Sequence, residues 1–272
     1  MVKYFLVFGV LGLLGTVLGS EDNPEAHLFS GGAAPMKGPN GKWGYRSPDG
    51  SWLVEPKFAE VKGFSEELAA AREGSSWGYL GSDGTWKIPS RFSWAGDFTE
   101  GMAPASEGDR LTGKFGYIDR QGRWAIEAEY EWARPFREGL GGVKDGSKWG
   151  FVDKKGKLVV EPEYDQVGSF CGGLAPVQKS GAPGDKETWI YIKPDGSRAF
   201  ETKYAWAGTF SDGLARVQVE DRITGKFGYI DTKGVMVIQP NFEEASDFRK
   251  GKATVRLDGK SRTIDKKGNP VD

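Results

Sequence analysis

Short runs of alternating apolar and polar residues, closed by glycine, proline or aspartate, fill this chain, and stretches with a helical period are scarce. Runs such as WGYL from Trp77 and FGYI from Phe115 place aromatic residues two positions apart, on one face of an extended strand. A turn follows each run, with glycine at one equivalent position in seven copies: Gly50, Gly84, Gly122, Gly156, Gly196, Gly234 and Gly268. Asp119, Asp153, Asp231 and Asp265 begin four of these turns. Aspartate there bonds its own backbone while glycine accepts the left-handed conformation behind it. A second strand carries an apolar column at Val54, Ile88, Ile126, Val160, Phe200 and Ile238. It is expected to stop near a proline such as Pro56, Pro162 or Pro240, which has no amide proton for a ladder. An aromatic column follows at Phe58, Phe92, Tyr130, Tyr164, Tyr204 and Phe242, and a second six residues on at Phe64, Phe98, Phe136, Phe170, Phe210 and Phe248. A third strand then reads (Leu/Met)-Ala-x-Val, as in LARV from Leu214.

Six units open at Trp43, Trp77, Phe115, Trp149, Trp189 and Phe227, spaced by 34, 38, 34, 40 and 38 residues, with a worn seventh opening at Arg262-Thr263. A period in this range marks a solenoid, propeller or array. A module so small cannot bury its own aromatic residues, so the opening aromatics are expected to form a core between units. DRLTGKFGYIDRQG from Asp109 and DRITGKFGYIDTKG from Asp221 lie 112 positions apart, and FSWAGDFTEG from Phe92 meets YAWAGTFSDG from Tyr204 at the same offset. A block of three units has been duplicated whole. LFSGGAAPMK from Leu28 matches a third strand, and RTIDKKGNPV from Arg262 a first strand and turn, so residues 28–42 and 262–272 would together supply one further unit. The expected fold is all-β: about seven three-stranded units of 34–40 residues over 28–272, closed into a propeller-like ring or left as an open superhelix.

The columns closely resemble the WG-containing (KWG) repeat family: KWG at Lys42 and Lys148, GYID at Gly116 and Gly228, and F-x-x-G-L-A at Phe170 and Phe210. The resemblance runs from Phe29 to the end. It implies an all-β repeat domain of bacterial type, often exported, with no catalytic activity common to the family. Ile190 in place of glycine, and the missing aromatic of the last opening, depart from the pattern.

The first residues change the picture of location. MVKYFLVFGVLGLLGTVLGS has a lysine, an apolar run from Tyr4 to Leu18, and small residues Val17 and Gly19 before Ser20. That is the layout of a secretory signal, 1–19, and it is short for a membrane span; residues 20–27 read as a linker. The mature chain is expected to be secreted or periplasmic and monomeric, without a membrane span. Cys171 is the only cysteine, so no internal disulfide forms. With 37 Lys and Arg against 38 Asp and Glu, a basic footprint for nucleic acid is missing.

Chemistry is thinly provided. His27 is the one histidine and lies outside the repeat, and no GxSxG elbow accompanies it, so Ser-His-Asp and Cys-His arrangements are not expected. One His and one Cys do not make a zinc site, and no metal or other cofactor is expected. GAPGDKET from Gly181 lacks the GK(S/T) ending of a phosphate loop. Paired carboxylates of a glycoside hydrolase are the remaining enzymatic reading, with Glu55, Glu127, Glu161 and Glu201 in one column. Residues repeated around an array share near-identical environments, whereas catalysis needs two carboxyls pushed apart in pKa. No catalytic residue is therefore assigned.

Binding is better provided. Trp52, Trp86 and Trp124 share the face of the buried column and are expected in the core. Trp94, Trp132 and Trp206 exchange with Glu60, Gln166 and Glu244, so their column is expected to face water and could stack on sugars or anchor a protein. Insertions around 109–113, 180–188 and 221–225 are expected on one rim, where Arg110 and Arg222 could meet an acidic group. The expected function is a binding or scaffolding surface for a protein or glycan; a glycoside hydrolase and a purely structural envelope component are the alternatives.

Overall fold

The computed structural model describes residues 33–109, 112–180 and 188–271; the segment 1–19 read as a secretory signal, the linker 20–27 with His27, and Arg110 lie outside them. The described residues form strands and turns without a helix, arranged as seven small antiparallel sheets in chain order. The first sheet holds strands Ala34–Lys37, Trp43–Arg46 and Trp52–Phe58. The second adds a short leading strand: Glu60–Val61, Leu68–Glu73, Ser76–Gly81 and Trp86–Phe92. The third (Trp94–Ala95 to Trp124–Tyr130), fourth (Trp132–Ala133 to Leu158–Tyr164) and sixth (Trp206–Ala207 to Met236–Phe242) repeat that order. The fifth runs from Gln166–Val167 to Thr188–Ile192, and the seventh from Glu244–Ala245 to Lys260–Asp265.

Sheets and sequence units are out of phase. The third strand of one unit pairs with the first strand of the next, as Leu68–Glu73 does with Ser76–Gly81. The end segments follow the same rule: Ala34–Lys37 pairs with Trp43–Arg46, and Lys260–Asp265 with Lys252–Leu257. Among the described residues no strand pairing joins 28–42 to 262–272; each belongs to a sheet built from neighbouring chain. The ladder also moves the worn opening by one residue. Ser261 faces Arg256 as Phe115 faces Ser106, so Ser261-Arg262 occupies the aromatic-glycine position.

The last strand of each four-stranded sheet buries its third and seventh residues and exposes the fourth and sixth, as around Ile126 and Tyr130. Proline does not end this strand: Pro56, Pro162 and Pro240 lie inside it. The strand is at a sheet edge, where a missing amide proton costs no ladder bond. Its register shifts as it crosses the glycine of the opening pair, and the two backbones close tightly there. A Cβ on Gly150 would lie 2.4 Å from the Val160 carbonyl oxygen, and on Gly116 2.4 Å from that of Ile126. Where Ile190 replaces this glycine, the crossing strand is reduced to isolated bridges, Trp189 with Tyr204 and Ile192 with Arg198.

Neighbouring sheets are joined by one set of contacts made repeatedly. Tyr79 Oη donates to the Gly96 carbonyl of the next sheet at 2.8 Å; Tyr45, Tyr117, Tyr191 and Tyr229 do the same with Lys62, Arg134, Gly208 and Ser246. Each of these rings also packs on the next sheet's phenylalanine, from 4.6 Å for Tyr117–Phe136 to 5.2 Å for Tyr191–Phe210. Phe151–Phe170 completes the series without a hydroxyl. The turn glycine of each later sheet sits on the apolar column of the sheet before, as Gly122 does on Ile88 and Gly268 on Ile238. Glu66, Glu100, Glu138 and Asp212 hold left-handed turn positions, and their carboxylates accept the amides of Gly101, Gly139, Gly173 and Gly251, in the corresponding turn of the next sheet. Gly50, in the first sheet, has nothing within 4 Å among the described residues, so the contact made six times is not made there. Trp77, Phe115, Trp149 and Trp189 are buried, and Trp43 and Phe227 half-buried. Trp86 and Trp124 pack edge-on against Phe58 and Phe92 of the preceding sheets.

Candidate functional site

The insertions all occupy one connection, the hairpin between the strand pairs that carry the buried alanines and the opening aromatics. Leu68–Glu73 turns tightly into Ser76–Gly81, and Leu140–Asp145 into Lys148–Asp153. Met102–Glu107, Ala175–Lys179 and Leu214–Gln218 instead lead into longer loops. The short leading strands end beside the same connection. Trp94 pairs with Ser106, Trp132 with Lys144 and Trp206 with Gln218, each near the loop end of its ladder. Each Trp is followed by a buried alanine, Ala95, Ala133 or Ala207, so strict alternation turns the indole away from the ladder's buried face. The Trp column and the insertion rim are thus one neighbourhood.

On the third and fourth sheets Trp94, Phe115 and Trp132 form a continuous ridge, which the Lys62 side chain links to Trp77 of the second. Trp94 lies 5.4 Å from Phe115 and 5.6 Å from Trp132, and Phe115 lies 4.5 Å from Trp132. Lys62 Nζ sits 4.5 Å above the Trp94 ring and 5.8 Å from Trp77, and the Arg134 guanidinium 4.7 Å above Trp149. Burial pushes the Lys62 ammonium below its usual pKa, with Asp97 and Glu60 opposing, and burial also lowers Arg134. Both cations are held by ring faces, an interaction of about 0.5–2 kcal/mol each, and Lys62 also by the Asp97 and Glu60 charges. Trp132 is 42% exposed, whereas Trp94 is half-buried. Trp206 belongs to a separate cluster: it is half-buried between Trp189 (6.3 Å) and Phe227 (6.2 Å), with Arg216 4.6 Å above its ring. Arg222 is exposed on the loop of the sixth sheet.

The other sequence candidates are dispersed. Glu55, Glu127, Glu161 and Glu201 are exposed and dispersed, one each on the first, third and fourth sheets and one in the segment that follows the fifth. Cys171 is half-buried, and burial, then the Glu138 charge, push its thiol pKa up, away from the reactive thiolate. Asp165 is held down at about 2 by the Lys148 ammonium at 2.6 Å and the Ser180 amide. Among the described residues no group of three or more His, Cys, Asp or Glu could hold a metal. Lys62 and Arg134 are the contributors that sequence reasoning passes over. Their column also holds Gly96, Gly168, Gly208 and Ser246, so no shared character announces it; the signal is a cation two residues after the short-strand position.

The profile of the WG containing repeat matches residues 43–75, 77–110, 115–149, 149–181, 191–222 and 227–260. No curated protein matches by sequence. Among solved structures, a eukaryotic initiation factor is similar at TM-score 0.60 and 12% identity, over 88% of this chain and 72% of that one. The β-propeller domain of the Trilobed protease from Pyrococcus furiosus, described as having an open velcro topology, is similar at 0.49 and 14%, over 79% and 83%. The uncharacterized protein lmo1340 from Listeria monocytogenes EGD-e is similar at 0.49 and 10%, over 88% and 90%. At 12% identity the likeness to the initiation factor is one of fold alone.

Proposed function

Because this chain belongs to the WG-containing repeat family, we propose that it is an exported, monomeric, non-enzymatic binding or scaffolding protein. It presents the Trp94–Phe115–Trp132 ridge and the adjoining insertion rim to a protein or glycan. The observation that carries this reading is the Trp132 indole, exposed yet continuous with two further rings and flanked by cations already seated on neighbouring aromatics. Rigid aromatic groups of this kind lose little entropy on binding and dominate interface energies. Scattered, exposed glutamates of one column favour binding over hydrolysis, since no two are set in contrasting environments. Export rests on the apolar N-terminal run and its small-residue cut site.

Glycan and protein arrays probed with the mature chain test the reading. A hit should weaken by about thirty-fold in Trp132→Ala, as a central aromatic worth about 2 kcal/mol requires. Thermal stability should change little, because the ring is already partly in water. Turnover of a saccharide panel that disappears on substituting one of Glu55, Glu127, Glu161 or Glu201 would overturn it in favour of the hydrolase.

A further inference from the structure

The duplicated block has diverged at one notch, which is closed in the first copy and open in the second. At the offset of 112, Lys114 corresponds to Lys226, Phe115 to Phe227, Glu131 to Glu243 and Trp132 to Glu244. In the first copy Trp132 covers Phe115, which is buried, and Lys114 is held by Glu131 at 2.5 Å. In the second copy Glu244 stands where the covering ring would be, and Phe227 is left half-buried. Arg256 engages both acids: its Nε lies 3.4 Å from Glu243, and its guanidinium bonds Glu244. Among the described residues neither Lys226 nor Arg222 has a carboxylate partner. The outcome is a cleft of about 550 Å³ lined by Phe227, Arg222, Lys226, Thr224 and Gln218, with the Arg256–Glu243 pair as a further wall.

The loop beside this cleft is shaped in advance. The Asp221 carboxylate accepts the amides of Ile223 and Thr224 at 2.7 and 2.8 Å and the Thr224 hydroxyl at 2.6 Å. Buried Gln218 donates to the Gly225 carbonyl at 2.9 Å, and a Cβ on Gly225 would lie 2.0 Å from the Val219 carbonyl oxygen. Such a loop has little freedom left to lose when a ligand arrives.

We propose that this notch binds an organic carboxylate with a flat apolar body. The body rests on the exposed part of the Phe227 ring, in the place that Trp132 fills over Phe115. The carboxylate lies between Arg222, whose planar fork matches it, and the Lys226 ammonium. Arg256 and Glu243 in the lining are engaged with each other, which leaves the Arg222 and Lys226 cations facing the cleft. The volume falls in the range of small-molecule sites, about 300–1,000 Å³. The notch lies on the sixth and seventh sheets and does not rest on the ridge of the third and fourth.

Calorimetric titration of the full chain with N-acetylphenylalanine, its uncharged amide and acetate tests the assignment. The acid should bind, and more weakly in high salt; the amide and acetate should each bind weaker by about tenfold or more. Arg222→Ala with Lys226→Ala should lower affinity for the acid by at least about tenfold, and Glu244→Trp should abolish binding by filling the notch while the chain stays folded. Trp132→Ala should leave this binding unchanged, which separates the notch from the ridge. Equal binding of acid and amide, no detectable binding of the acid, or full affinity in Glu244→Trp would overturn the proposal.

Discussion

Gly150→Ala adds one methyl group and tests why the opening pair ends in glycine. The new Cβ would stand 2.4 Å from the Val160 carbonyl oxygen, 2.8 Å from the Pro162 nitrogen and 2.9 Å from the Glu161 carbonyl carbon. An ordinary carbon–oxygen contact is about 3.3–3.6 Å, so a strand of backbone, not a flexible side chain, must move by about 1 Å. That movement opens the shifted ladder that pairs Trp149 with Tyr164 and Phe151 with Val160. Overpacking costs about 1–3 kcal/mol and each lost backbone hydrogen bond about 1 kcal/mol, which together give about 3 kcal/mol. For a chain of this size that is a fall of about 6–12 °C in Tm. Thermal and urea denaturation of Gly150→Ala measure it. Gly63→Ala, whose Cβ would meet nothing within 4 Å, serves as the control and should stay within about 0.5 kcal/mol. If Gly150→Ala matches the control, the close crossing is not what selects glycine and the reasoning fails.

Ile190→Gly should do the reverse: hydrogen exchange at 199–203 slows as the crossing strand re-forms between its two existing bridges, and unchanged exchange counts against the account. Tyr79→Phe leaves the Gly96 carbonyl unpaired within a buried junction and should cost about 1–2 kcal/mol in urea denaturation. The hydroxyl-free Phe151–Phe170 junction shows that the ring packing itself survives. Trp77→Ala, at a buried opening aromatic, should destabilise by about 3–5 kcal/mol, far more than Trp132→Ala on the ridge.

The columns were readable in the sequence because every copy repeats them in register and strands alternate strictly. Trp77 and the aromatic two residues on, sharing one strand face, are thus legible as core residues between units, and the aspartates as turn residues. The sheet boundaries were hidden. Units counted from Trp77-Gly78 say which residues recur, but not that Ser76–Gly81 pairs with the strand before it as well as the one after. The prolines misled for a related reason: whether Pro162 ends a strand depends on its being at an edge, which is a property of the sheet. Glycine at 116 and 150 was visible as a constant, yet its cause is a register shift that only pairing reveals. On the ridge, Trp132 could be picked out by its exchange with glutamate and glutamine. Lys62 and Arg134 could not, since they reach their rings from a column of mixed residues. The notch on Phe227 emerges only when the two duplicated copies are laid over one another in space.

The central claim is that consecutive sheets shield one another's aromatic side chains. Tyrosine ionisation reports this directly. Burial raises the phenol pKa of all eight described tyrosines, to about 12 at Tyr130 and Tyr164 and higher at Tyr79 and Tyr117, leaving only Tyr4 of the nine outside the array. The folded pKa values lie above the unfolded value near 10, so stability is intact below about pH 10 and is lost as pH rises beyond it. Absorbance of tyrosinate, followed with circular dichroism through an alkaline titration, should show the array's phenols ionising together with unfolding, in one steep step above pH 10. Ionisation of most of the nine near pH 10, while the strand signal persists, would contradict the account.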